Sequence, residues 1–155
     1  MTAINEVGKD GSMFKKILVA VDLEHAAQVG DLLGVAEDIA NANGAQLHLL
    51  NVIGAAPAVV SQFLPESYEK MASEKIEKDL AALAAKVDLT DGAVTSSVRF
   101  GSVYQEILAH ANKNGTDLIV VASHKPSVGD YLLGTTAARV VRHASCSALV
   151  VRLNG

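Results

Sequence analysis

The chain has 155 residues, of which 50% are hydrophobic, 19% charged and 4% aromatic. A chain of this length forms one domain with a sizeable core, and this composition is typical of a globular α/β protein. The formal net charge is −4, and the 13 Lys and Arg residues are scattered along the sequence. We therefore expect neither nucleic acid nor a membrane as a partner.

The sequence predicts a cytoplasmic protein. Cys146 is the single cysteine, no signal-peptide pattern opens the chain, and no apolar run approaches the roughly 20 residues that span a bilayer. Residues 1–12 lack hydrophobic periodicity and are expected to form a flexible N-terminal tail. Residues 13–155 would then form a single domain.

From Lys16 onward, short apolar runs alternate with longer amphipathic segments. Strands are predicted at 16–21, 45–53, 93–100, 116–123 and 147–153. Helices are predicted at 25–43, 66–87, 103–114 and 133–144. The strands are nearly continuous apolar runs, which indicates a parallel sheet with helices on both faces.

Two details of the helices are also predicted. Ser102 is placed to cap the helix 103–114, and helical spacing turns Val103 toward the core. Asn43 and Gly44 supply the end of the first helix.

The loops after the first and fourth strands are the candidate ligand site. In open parallel sheets, ligands bind beyond the carboxyl ends of the strands, where the strand order reverses. With the order 3-2-1-4-5, that point lies between the first and fourth strands, so the loops begin at Asp22 and Ser123.

The second of these loops, SHKPSVGDYLLGTT (123–136), ends at a helix entry. Unpaired amides and the positive dipole end favour an anion at Gly134, Thr135 and Thr136. Lys125 adds a positive charge, and Ser123 and His124 add donors. On the residues alone, Thr135 is equally well the N-cap of that helix and Lys125 a solvated charge.

Four segments together resemble the universal stress protein family over residues 13–152: FKKILVAVDL, LHLLNVI, FGSVYQEIL and DLIVVASHKPSVGDYLLGTTAARVVRHASCSALVVR. The last segment is the most specific. The resemblance implies a five-stranded parallel sheet of order 3-2-1-4-5, which is a Rossmann-like fold of the adenine nucleotide alpha hydrolase type. It also implies an ATP-binding, dimeric stress-response module that is not an enzyme.

The nucleotide loop departs from the common family pattern. Members that bind ATP carry G-x2-G-x9-G-[ST], and these glycine positions fall here on Ala122, Lys125 and Gly134, with a spacer of eight residues. A subgroup with the loop SHRPxxxxYLLGSN has the same short spacer, and SHKPSVGDYLLGTT is similar to it. This similarity implies ATP, or else AMP or ADP, with Mg²⁺ as an accompanying ion.

The resemblance also assigns residue roles. Asp22 would accept hydrogen bonds from the ribose or the adenine, and three apolar residues would form a wall for the base. On the residues alone, Asp22 is a helix N-cap, with His25 following, and the apolar residues belong to the core. The expected nucleotide-binding residues are Ala20, Val21, Asp22, Val52, Val121, Ala122, Ser123, His124, Lys125, Gly134, Thr135 and Thr136.

Assembly is expected through the fifth strand. SALVVRL (147–153) would leave an apolar edge exposed, and pairing of two such edges, as in family members, would bury both. A homodimer follows as a prediction.

Other functions remain open. Ala122 and Lys125 support a stress-protein dimer that has lost the nucleotide, while hydroxyls at Ser123, Thr135 and Thr136 allow slow ATP hydrolysis or autophosphorylation. An adenylating enzyme fits poorly because VDLEHAA lacks a glycine-rich phosphate loop. A phosphoacceptor receiver domain fits poorly because no Asp follows the third strand.

The five histidines lack metal-ligand spacing, so no metal site made by the protein alone is expected.

Overall fold

The structure is a computed structural model that describes residues 11–124 and 133–153. Lys125, the side chain of His124 and nearly all of the expected tail at residues 1–12 lie outside the described residues.

Strands and helices alternate along the described chain. The strands are β1 (Lys16–Ala20), β2 (Gln46–Ile53), β3 (Val94–Phe100), β4 (Leu118–His124) and β5 (Ser147–Leu153). The helices are α1 (Ala26–Asn43), α2 (Ala58–Ser61), α3 (Tyr68–Lys86), α4 (Val103–Asn114) and α5 (Thr135–His143). A 3-10 turn at Leu23–His25 precedes α1, and neither this turn nor α2 was expected from the sequence.

The five strands form one sheet in the order β3-β2-β1-β4-β5. Every neighbouring pair is parallel, and β1 lies at the centre, where Ile17 pairs with Leu47 on one side and Leu118 on the other. The prediction of a parallel sheet of order 3-2-1-4-5 is therefore confirmed. The strand order reverses between β1 and β4, which fixes the switch point at their carboxyl ends.

The sheet is covered on both faces. On one face, Val19 and Leu49 pack with α1 and with Leu80 of α3. On the other face, Leu18 and Leu50 pack with Ile107 of α4 and with α5. Alternate residues of a strand point to opposite faces, so a strand that is buried twice reads as a continuous apolar run.

The amino end of the sheet is held by side chains that bond to the backbone before β1. Asn43 accepts hydrogen bonds from the amides of Met13 and Phe14 through Oδ1. The Asp117 carboxylate accepts from the amides of Lys15 and Lys16. These bonds place the start of β1 against the end of α1 and the start of β4.

Three local predictions differ from the structure. Val103 is 37% exposed, because it begins α4 at the open end of the sheet. Ser102 occupies the N-cap position of α4 without a side-chain capping bond. The N-cap of α5 is Gly134, so Thr135 is the first residue of the helix and not its cap.

Within the described ranges, we find no helix long and apolar enough to cross a membrane.

Candidate functional site

A cavity of about 740 Å³ opens at the carboxyl ends of the central strands. This volume lies within the usual range for small-molecule sites, about 300 to 1,000 Å³. Most of the expected nucleotide-binding residues line it, namely Ala20, Val21, Asp22, Val52, Ala122, Gly134, Thr135 and Thr136. The cavity lies at the switch point between β1 and β4.

Asp22 lies after β1 and caps the 3-10 turn at Leu23–His25. Its Oδ1 accepts a hydrogen bond from the amide of Glu24 at 3.0 Å, and Oδ2 lies 2.8 Å from Nδ1 of His25. The side chain is about half exposed, at 50%. Asp22 therefore caps the 3-10 turn, whereas the N-cap of α1 is His25, so the expected cap of the first helix is wrong. Asp22 is also a cavity residue, and each carboxylate oxygen keeps a lone pair for a ligand donor.

Ala20, Val21 and Val52 form the apolar part of the wall. Ala20 and Val52 are half-buried and pack against the α4 and α5 side of the core, while Val21 is buried on the α1 and α3 side. Because Val21 also donates its amide to the carbonyl of Leu50 at 2.8 Å, the ends of β1 and β2 are held together. This wall is suited to the flat, apolar surface of an aromatic base.

The first turn of α5 faces the cavity with Gly134, Thr135 and Thr136. No side chain caps this end, and no acidic residue occupies the first turn. The amides of a first helical turn have no partner within the helix, and the dipole makes this end positive. The geometry therefore offers an anion both backbone donors and threonine hydroxyls.

Ser123, near the end of β4, bonds to the residue that precedes α5. It is 2% exposed, and its Oγ accepts a hydrogen bond from the amide of Gly134 at 3.3 Å. Ser123 does not line the cavity, although it fixes the position of Gly134, which does. The side chain expected to donate to a ligand thus has a positioning role.

The remaining expected residues are not placed at the cavity. Val121 is buried in the core against α4 and α5. Lys125 and the side chain of His124 lie outside the described residues, so their expected roles stay predictions.

Several cavity residues were missed by sequence reasoning. Asn51 of β2 is 7% exposed and donates from Nδ2 to the carbonyl of Val21 at 2.8 Å. The other additions include Tyr68 and Ile76 from α3 and Ile107 from α4. The signal for Asn51 was one amide near the carboxyl end of an apolar strand, LHLLNVI.

The described residues offer little of the chemistry that catalysis needs. Within residues 11–124 and 133–153, no three side chains of His, Cys, Asp or Glu come together to hold a metal ion. Cys146 is half-buried, and burial followed by the nearby Asp117 carboxylate raises the pKa of its thiol. That thiol is a poor nucleophile at neutral pH.

Comparison with known proteins gives a consistent result. A sequence model of the universal stress protein family matches residues 13–152. Universal stress protein G of Shigella flexneri is 32% identical over 143 residues, which cover 90% of this chain and 100% of that protein.

Solved structures share the fold. The universal stress protein of Archaeoglobus fulgidus in complex with dAMP has a TM-score of 0.61 at 16% identity, covering 91% of this chain and 98% of that one. A universal stress protein in complex with cAMP has a TM-score of 0.59 at 19% identity, and the match covers 91% of this chain and 98% of that one.

Proposed function

The chain belongs to the universal stress protein family, and from this premise we propose that it binds an adenine nucleotide, ATP in the first place, in the cavity between β1 and β4. We propose further that it acts as a dimeric stress-response regulator and not as an enzyme with rapid turnover.

One observation carries the nucleotide proposal: a single cavity has an apolar wall at one end and an uncapped helix N-terminus at the other. Ala20, Val21 and Val52 supply the wall. The first turn of α5 supplies the anion-binding end. A nucleotide has the same polarity along its length, with an apolar base at one end and charged phosphates at the other.

The phosphates would contact the first turn of α5. The amides of Thr135 and Thr136 and their hydroxyls donate there, as helix N-termini do in phosphate sites. Gly134 lines this part of the cavity, where its lack of a side chain leaves room for phosphate oxygens. Lys125, which lies outside the described residues, would add a positive charge.

The ribose would lie between the two ends, near Asp22. The half-exposed carboxylate of Asp22 can accept a hydrogen bond from a ribose hydroxyl while it keeps its bonds to Glu24 and His25. The relatives crystallised with dAMP and cAMP support an adenine nucleotide as the ligand class. An accompanying Mg²⁺ would be held mainly by phosphate oxygens, because the described residues offer no cluster of three metal ligands.

The dimer proposal rests on β5. This strand ends the sheet, and its side chains Ala148, Leu149, Val150 and Val151 are all only half-buried. An edge strand with unpaired backbone groups and apolar side chains favours pairing with another chain. A second copy of β5 would bury both edges.

Calorimetric titration of ATP and AMP into nucleotide-stripped protein tests the proposal. Gly134→Val is the informative variant: φ at Gly134 is −56°, and an added Cβ meets no atom within 4 Å, so the fold tolerates the change. The new side chain occupies the phosphate end of the cavity. We expect ATP affinity to fall at least tenfold.

Gly34→Val is the matched control, because Gly34 is exposed on α1 and a Cβ there also meets no atom within 4 Å. Affinity should remain as in the original protein. No binding at millimolar ATP would refute the nucleotide proposal, and consumption of several ATP per second would favour an enzyme.

A further inference from the structure

Asn51 is a buried amide in an otherwise apolar part of the cavity wall. It is 7% exposed, and its neighbours along β2 are Leu50, which is buried, and Val52, which lines the cavity. A buried amide costs free energy unless its donors and acceptors are paired. The pairing of this side chain is therefore informative.

One hydrogen bond fixes the orientation of the Asn51 amide. Nδ2 donates to the backbone carbonyl of Val21 at 2.8 Å. A carbonyl oxygen can only accept, so the NH₂ group and not Oδ1 must face Val21. The usual ambiguity between the two ends of an Asn side chain is thereby removed.

Oδ1 is left as an acceptor. Among the described residues, no donor bonds to it, while Asn51 lines the cavity. A side chain more than nine-tenths buried, with an open acceptor at a ligand cavity, is a recognition group for a ligand that donates a hydrogen bond.

The part of the ligand near Asn51 follows from the polarity of the cavity. Asn51 alternates with Leu50 and Val52 along β2, so its side chain faces the α1 and α3 side of the cavity, where Val21, whose carbonyl it bonds, and Ile76 are apolar. The anion-binding end lies at α5, beyond β4. The base end of a nucleotide would thus meet Asn51.

We propose that Asn51 is a specificity-determining residue whose Oδ1 accepts a hydrogen bond from the exocyclic amino group of the base, so that 6-aminopurine nucleotides are selected over 6-oxopurine nucleotides. This proposal rests on the proposed function. A 6-oxo group presents an acceptor where the amino group presents a donor, and two facing acceptors repel.

A ligand series tests the proposal without any substitution. ATP, purine riboside triphosphate and inosine triphosphate carry an amino group, a hydrogen and an oxo group at position 6, and inosine triphosphate also carries a proton on N1. Titrated into the full chain, they should bind in that order of decreasing affinity. We expect inosine triphosphate to bind about tenfold more weakly than ATP, or weaker still.

Asn51→Leu provides the second arm, because leucine has a similar volume and no acceptor. The ratio of ATP to inosine triphosphate affinity should fall toward one, while unfolding by urea reports any loss of stability separately. Asn41→Leu, on the exposed surface of α1, is the control that should leave the ratio unchanged.

The outcomes separate this proposal from the one on which it rests. Equal affinity of the original protein for ATP and inosine triphosphate would overturn the role of Asn51 and leave nucleotide binding intact. An Asn51→Leu variant that keeps the full discrimination would do the same. Absence of binding by all three nucleotides would overturn the proposed function itself.

Discussion

The imidazole rings of His48 and His110 stack, with ring centroids 4.4 Å apart and ring planes inclined by 21°. His48 lies on β2 and His110 on α4, so this contact joins the sheet to a covering helix. His48 also bonds to the hydroxyls of Thr95 and Ser97 on β3, at 2.6 and 2.7 Å. Nδ1 of His110 is buried without a partner in the described structure.

This pair predicts that the protein loses stability in mild acid. Burial, then His110, then Arg99 lower the pKa of His48 from 6.5 to about 4, and burial, Arg99 and Lys113 lower the pKa of His110. The unfolded chain therefore binds protons below pH 6.5 that the folded chain does not bind. The free energy of unfolding should fall as the pH drops from 6.5 toward 4.

Urea unfolding at several pH values between 7 and 4.5 measures this effect. Because His48 is only half-buried, solvent screening reduces its contribution to on the order of 1 to 2 kcal/mol. His48→Gln should have a shallower slope between pH 6.5 and 5. The same slope in both proteins would show that the histidine pair does not govern the acid response.

Asp22→Asn separates the capping role from the ligand role. The amide oxygen can still cap the 3-10 turn, so the free energy of unfolding should change by less than about 0.5 kcal/mol. Loss of the charged acceptor should weaken ATP binding about tenfold, as measured by calorimetry. Asp31→Asn, on the exposed side of α1, is the control. Unchanged affinity in Asp22→Asn would remove Asp22 from the binding site.

Leu80 fixes α3 to the sheet. It is 0% exposed and is the buried residue of this 19-residue helix, which otherwise contacts the core through partly buried side chains. Leu80→Ala should lower the free energy of unfolding by about 2 to 5 kcal/mol, as large-to-small changes do in a packed core. Met71→Ala, at a position 65% exposed, should have little effect in the same denaturant titration.

Gly92 and Gly115 form a matched pair for backbone strain. Both have positive φ, +98° and +66°, but an added Cβ at Gly92 would lie 2.6 Å from the carbonyl oxygen of Ala45, whereas at Gly115 it meets no atom within 4 Å. Thermal unfolding should show a cost of about 1 kcal/mol for Gly115→Ala. Gly92→Ala should cost clearly more, and equal costs would contradict the close approach.

A charge on β5 should prevent dimer formation if the edge strands pair. Val150→Glu places a carboxylate on the half-buried edge strand, where a second copy would desolvate it. Sedimentation equilibrium should show a monomer. Because Val150 also packs against the α4 and α5 side of the core, urea unfolding followed by circular dichroism reports the loss of stability separately. Val141→Glu, at a position 48% exposed on α5, should leave the assembly unchanged. If Val150→Glu still forms a dimer, the dimer does not form through β5.

The architecture could be predicted because each element carries its own local signal. Apolar runs of strand length alternate with helical spacing, and this pattern leaves few arrangements other than a parallel sheet. The end of α1 was also predictable from a local signal, because Gly44 adopts a φ of 61° and its amide bonds to the carbonyl of Ala40. Neither signal depends on residues distant in sequence.

The cavity was harder to predict because its residues meet only through tertiary contacts. Asn51 is recognisable as a cavity residue only once β2 lies beside the end of β1, where its amide reaches Val21. Tyr68 and Ile76 reach the site because α3 crosses the same end of the sheet. Ser123 was expected to contact the ligand. In the structure its hydroxyl instead accepts from the amide of Gly134, a contact that exists only because the start of α5 lies beside the end of β4.

The bond between Ser123 and Gly134 also bears on how this fold tolerates changes in loop length. Both partners lie outside residues 125–132, so the bond closes the connection at its base and holds the cavity wall and the start of α5 together. Adding one residue to a connection of about ten costs only about 0.1 kcal/mol of closure entropy. In closure entropy alone, a spacer one residue shorter than the common family pattern is therefore nearly neutral, because the two anchors, Ser123 and Gly134, stay bonded to each other.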